Sequence, residues 1–164
     1  MWIPFEQMPA QSRIWIYPAS QRLSVEAREK VQAHLEKKIQ NWDSHGAPMK
    51  ASTTVFYDQF VIIAADESHQ RPSGCSIDQL VNWMTELGIE LNVDFFDRSI
   101  NVLQQGQVVS IPLPMLKKAV ENSVIKLETI VFNHTISYLS DLEKSWMLPA
   151  SASWMSRYFP LTKV

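Results

Sequence analysis

The run FVIIAA, Phe60 to Ala65, is apolar at all of its positions. Alternate side chains of a strand point to opposite faces, so such a run needs cover on both sides and reads as a central strand. It is preceded by STTVFY, Ser52 to Tyr57, across the pair Asp58-Gln59. Two β-type runs joined by two residues predict an antiparallel hairpin, with the more alternating first run as an outer strand.

The flanking segments extend this picture. RIWIY, Arg13 to Tyr17, is rich in aromatic and β-branched residues and is stopped by Pro18; it reads as a strand. Ser24 then offers an N-cap, and Val31, Leu35, Ile39 and Trp42 recur at helical spacing up to Gly46 and Pro48. After the hairpin, Ser76 and Gln79 have capping-box spacing. Ile77, Leu80, Val81, Met84 and Leu87 follow as a helical stripe, which Gly88 closes. SINVLQ and QVVSI flank Gln105-Gly106 as a second hairpin. A short helix near Pro114, a strand over Thr129 to Phe132 and a capping pair Ser140 and Glu143 come next. The tail SWMLPASASWMSRYF has no clear period.

The first six elements run strand, helix, strand, strand, helix, strand. This is the order of a ferredoxin-like split βαβ sandwich in the α+β class, and it predicts a core over residues 12–104. In that topology the first and third strands, RIWIY and FVIIAA, form a parallel central pair. Residues 105–164 are expected as a β-hairpin and short-helix extension packed on the core, giving a single domain over 1–164.

Charge and cysteine usage restrict function. Fifteen basic and 17 acidic residues give a net charge of −2, with no long run of either sign. That balance gives no electrostatic footprint for duplex nucleic acid or for an anionic membrane. The start of the chain has neither a basic stretch nor an apolar segment of signal-peptide length, and FVIIAA is far short of a membrane span. One cysteine cannot make an intrachain disulfide. The expectation is a soluble cytoplasmic protein without a cofactor.

Six phrases, RIWIYPAS, NWDSHGAPMKAS, GCSID, FFDR, TIVFNH and the tail SWMLPASASWMSRYF, carry a resemblance over nearly the whole chain. It resembles a family of short uncharacterised bacterial proteins from a group of Gram-negative bacteria, often labelled ABC-transporter ATPases. In that family the last motif often has histidine after tryptophan, whereas Met155 follows Trp154 here. The resemblance implies no substrate and no catalytic residue. The residues themselves reject the ATPase label. Phosphate-cradling loops need glycine followed by Lys-Ser or Lys-Thr, and none of Gly46, Gly74, Gly88 and Gly106 is so followed.

Cys75, beside the expected N-cap Ser76, is the candidate nucleophile, because the positive end of a helix favours a thiolate. Its candidate base is His69, in the preceding loop. In the expected topology His45 lies about 15–20 Å away across the sheet. His34 reads as a surface residue and His134 is unplaced. The same topology sets the loops leaving the first and third strands side by side. It thereby predicts an anion pocket made of Ser20, Arg22, Arg71, Ser73, Gly74, Cys75 and Ser76. Paired Cys or His spacing is absent, so no metal site is expected. Trp146, Trp154, Tyr158 and Phe159 are candidates for a partner-binding patch, although packing onto their own domain is the favoured use.

The leading expectation is a non-catalytic or regulatory protein that binds a small anionic ligand or a protein partner. The alternative is a thiol-dependent enzyme or a redox-sensing protein using Cys75. Homodimer formation is compatible with either.

Overall fold

The computed structural model describes residues 1–160. They form an α+β structure of antiparallel sheets and helices. The chain divides into two compact units. One comprises Met1–Asp97 with Ser137–Ser140, and the other comprises Arg98–Ile136 with residues 141–160.

In the first unit, β1 (Arg13–Pro18), β4 (Ala51–Phe56) and β5 (Phe60–Ala65) make a sheet in the order β1-β5-β4. FVIIAA is the middle strand and all its residues are buried. Its alternation serves two faces. Val61, Ile63 and Ala65 belong to a cluster with Val31, Leu35 and Ile39 of α1 (Val25–Gln40) and Leu80, Met84 and Leu87 of α2 (Gly74–Leu91). Phe60, Ile62 and Ala64 are equally buried and point the other way. Burying each large side chain stabilises the fold by about 1.5–3 kcal/mol. Trp42 fills the centre of the helix-side cluster, edge-on to both Trp15 and Trp83. Ser24 caps α1 by accepting the Ala27 amide.

The hairpin β4–β5 forms with the expected antiparallel pairing. Its connection spans Tyr57 to Gln59, with Tyr57 and Asp58 both left-handed. β1, however, also pairs antiparallel with β5, Arg13 opposite Ala65 and Pro18 opposite Phe60. The ferredoxin-like expectation requires these two strands to be parallel, so the pairing corrects it. A strand run, its alternation and its neighbours in sequence are identical for either direction of pairing. Long-range packing alone decides between them.

A short hairpin absent from the sequence reading follows α1: β2 (Asp43–Ser44) pairs with β3 (Ala47–Pro48). Its tip, His45-Gly46, has φ of 52° and 80°, the left-handed pair of a two-residue hairpin turn. α2 continues past Gly88 to Leu91, and Asn92 takes the left-handed cap at φ 52°.

The second unit holds β6 (Ile100–Gln104), β7 (Gln107–Ile111), β8 (Ile130–Phe132) and β9 (Met147–Pro149) in the order β7-β6-β8-β9. The hairpin about Gln105-Gly106 is as expected. Its first strand, however, belongs to this sheet and is not a fourth strand of the first one. α3 (Leu116–Glu121) packs Leu116, Ala119 and Val120 against Val102, Val131, Ala150 and Met155. A short α4 (Asp141–Lys144) precedes β9. No helix among the described residues is long and apolar enough to cross a membrane.

Candidate functional site

Antiparallel pairing of β1 with β5 sends their exits to opposite ends of the sheet. Six extended residues span about 20 Å. The loop carrying Ser20 and Arg22 therefore leaves beside Phe60, whereas the loop carrying Arg71 to Ser76 leaves beside Arg13. The expected seven-residue anion pocket is not formed.

Ser20 and Arg22 instead serve as ties at their own end. The Ser20 amide donates to the Asp94 carbonyl at 2.7 Å, and the Ser20 hydroxyl accepts the Asp94 amide at 3.0 Å. Arg22 donates through Nε and Nη2 to one oxygen of Asp58, while Arg28 Nη1 lies 2.7 Å from the other. One carboxylate at a left-handed turn position thus clamps two arginines, and the Asp58 carbonyl also accepts the Leu23 amide. The Arg22 side chain is well exposed, so its ion pair adds little stability.

The other five residues stay together around the start of α2. The helix begins three residues earlier than capping-box spacing predicts. Ser73, extended at φ −79° and ψ 168°, is the N-cap. Its hydroxyl accepts the Ser76 amide at 3.1 Å, and its amide reaches Ser76 Oγ at 3.4 Å. Ser76 is therefore the third helical residue, and Gln79 has no part in the cap. The hydroxyl of Ser76 is buried and donates to the Asp43 carbonyl at 2.9 Å. Ser44 Oγ accepts the Ser73 amide at 3.1 Å, and the Trp42 indole N–H donates to the Ser76 carbonyl at 3.1 Å. Three successive residues, Trp42, Asp43 and Ser44, thus fasten the β2–β3 hairpin to the first turn of α2.

This contact also corrects the exclusion of His45. The tip residue His45 belongs to the hairpin that packs on the helix carrying Cys75, so a separation of a sheet's width does not hold. Gly46 donates to Asp43 Oδ2 at 2.8 Å, which fixes the tip. The useful sequence signal was Asp-Ser-His-Gly, a turn pattern in which glycine takes the positive φ.

Cys75 is the second residue of α2 and is exposed, as is Gly74. Amides at these helix positions have no intrahelical acceptor. His69 and Arg71 are in the exposed part of the preceding loop. Asp66, at its start, is buried. Burial pushes its carboxyl up, but hydrogen bonding to Ser68 and the charges of His69 and Lys50 outweigh this, and its pKa ends below the usual value. The turn of Gly74 and Cys75 therefore carries backbone donors and an exposed thiol, with His69 and Arg71 in the preceding loop and His45 on the adjoining hairpin. Such a group can hold a small oxyanion.

The remaining candidates have structural roles. His34 lies 3.4 Å from Glu86, which Lys38 also approaches at 2.8 Å. In the tail, Trp146 and Met155 are buried, and Tyr158 and Phe159 pack against the second core. Trp154 is 40% exposed, with Arg157 over its ring. The aromatic tail is thus largely absorbed into its own unit. Among the described residues no cluster of His, Cys, Asp and Glu has a metal-binding arrangement. Comparison with family models, with curated proteins and with solved structures returns no match.

Proposed function

We propose that this is a soluble cytoplasmic protein of the short bacterial family that its motifs resemble, and that it is a non-catalytic, regulatory binder of a small oxyanion. The site is the first turn of α2. The observation that carries this reading is the exposure of Gly74 and Cys75 at the start of a long helix, beside the loop of His69 and Arg71 and the hairpin of His45. Helix-start amides attract negative charge, and the rigid tie to β2 holds them in place without using them. Titrating the isotopically labelled protein with inorganic phosphate and sulfate tests it. Amide shifts at Gly74, Cys75 and Ser76 are expected to saturate together. Shifts scattered over the surface, or none at those three residues, would overturn it.

A second reading, thiol chemistry or redox sensing at Cys75, is favoured by the exposure of that thiol in the same turn. The thiolate sulfur would attack one oxygen of a peroxide, forming the S–O bond of a sulfenate as the O–O bond breaks and the other oxygen leaves as water. The intact mass should rise by one oxygen in the native protein and not in Cys75→Ser. Resistance to peroxide at exposures that oxidise a free peptide thiol would remove this reading and leave the first standing.

A further inference from the structure

His134 follows β8 in the second unit, and its ring is held from both sides. Nε2 lies 2.8 Å from Asn101 Oδ1 on β6, and the Trp146 indole N–H donates to Nδ1 at 3.3 Å. An indole nitrogen only donates, so Nδ1 is bare and the imidazole proton sits on Nε2, aimed at Asn101. Asn101 is itself held, its Nδ2 donating to Ser110 Oγ on β7 at 2.9 Å. Phe132 stacks on the imidazole at 6.1 Å with an 8° tilt and meets Trp146 edge-on at 5.1 Å. Asn101 and Trp146 are both buried.

Asn101, Trp146 and Phe132, which bond to or stack on this imidazole, are uncharged. The titratable side chains of the adjoining α4 are Asp141, Glu143 and Lys144; none of them contributes to the His134 shift. Burial lowers the pKa of His134 from 6.5 to about 4. A second proton would go on Nδ1, where it would meet the Trp146 N–H donor to donor. Burial would also deprive the imidazolium of its hydration. An indole has no acceptor to offer in exchange. The proton therefore enters when Trp146 withdraws, and Trp146 does not move alone. It directly precedes β9, and its carbonyl accepts the Asn133 amide at 2.7 Å.

We propose that His134 and Trp146 form an acid-sensitive latch, and that protonation of the imidazole releases β9 from β8 while the first unit stays folded. The sign follows from linkage. A histidine whose folded pKa is depressed contributes stability that is present above its unfolded value and is lost as pH falls toward the folded one. With 6.5 and about 4 as the two values, the opening constant rises on the order of 30-fold between pH 7.5 and 5.

Amide hydrogen exchange on the whole chain, corrected for intrinsic rates, tests the latch. Protection of the Asn133 amide should fall on the order of 30-fold from pH 7.5 to 5. Protection of β5 should hold, and His134→Gln should show no such fall. A pH-independent Asn133, an equal fall in His134→Gln, or a parallel loss across β5 would overturn the proposal. Should His134→Gln fail to fold, Trp146→Phe gives a second test, because it removes the opposing donor. Its His134 Cε1 proton should then titrate at a higher pH than in the wild type, and an unchanged midpoint would overturn the latch.

Discussion

The hydroxyl of Ser76 donates to the backbone carbonyl of Asp43, 33 residues away, at 2.9 Å. This bond joins the short hairpin after α1 to the first turn of α2. It also explains why a serine that looks like a helix cap from sequence is buried inside the helix instead.

Ser76→Ala removes this donor and one half of the reciprocal cap with Ser73, and leaves a partly buried carbonyl short of a partner. The expected cost is about 1–3 kcal/mol, read as a lower urea midpoint at unchanged slope. A midpoint equal to that of the wild type would show that the bond is replaced by solvent.

Cys75, one residue earlier, faces outward, so the two neighbours should behave in opposite ways. Cys75→Ala is expected to shift stability by less than about 0.5 kcal/mol. The native thiol should react stoichiometrically with iodoacetamide without denaturant. Protection of Cys75 until unfolding would contradict its exposed position.

Gly88→Ala sets two effects against each other. Alanine is the better helix former by about 1 kcal/mol, but its Cβ would lie 2.7 Å from the backbone oxygen of Val93. That carbonyl cannot easily retreat, because the Val93 amide is bonded back to the Gly88 carbonyl at 3.0 Å. The clash should win, with a net loss of about 1–3 kcal/mol in chemical denaturation. A more stable variant would mean that the turn after α2 yields.

Gln105 occupies a left-handed position at φ 52° beside Gly106 at φ 75°. Asparagine tolerates that conformation better than glutamine and is preferred in two-residue hairpin turns. Gln105→Asn should therefore stabilise the second unit by roughly a few tenths of a kcal/mol, seen as a higher thermal midpoint. A lower midpoint would imply that the Gln105 side chain contributes to packing.

Asp66 gives a pH signature in the first unit. Its folded pKa lies below the ordinary aspartate value, so it contributes stability that is present above the unfolded value and lost as pH falls through the folded one. Asp66→Asn should reduce the acid sensitivity of unfolding below about pH 4 and leave the slope between pH 6 and 8 unchanged. Identical acid profiles for both proteins would remove Asp66 from that role.

Legibility in the sequence tracked distance along the chain. Ser24 as the cap of α1, the stripe Val31, Leu35 and Ile39, the hairpin of β4 with β5 and the turn at Gln105-Gly106 all rest on spacing within a few residues. Local backbone chemistry and side-chain period therefore determined them without reference to the rest of the fold. The candidate site was legible only in part. Arg71, Ser73, Gly74, Cys75 and Ser76 lie in one stretch and stay together, whereas Ser20 and Arg22 joined them only through an assumed strand direction.

What the tertiary structure alone decided was which end of the sheet each loop leaves. A strand such as RIWIY buries the same side chains whether it runs parallel or antiparallel to FVIIAA, so its composition carries no record of direction. The antiparallel choice moved Ser20 and Arg22 to the far end, and the fold of the chain after α1 brought the His45 hairpin onto the helix of Cys75. The cap of α2 went to Ser73, while Ser76 was drawn inward to satisfy the Asp43 carbonyl. That partner lies too far along the chain for any local pattern to announce it.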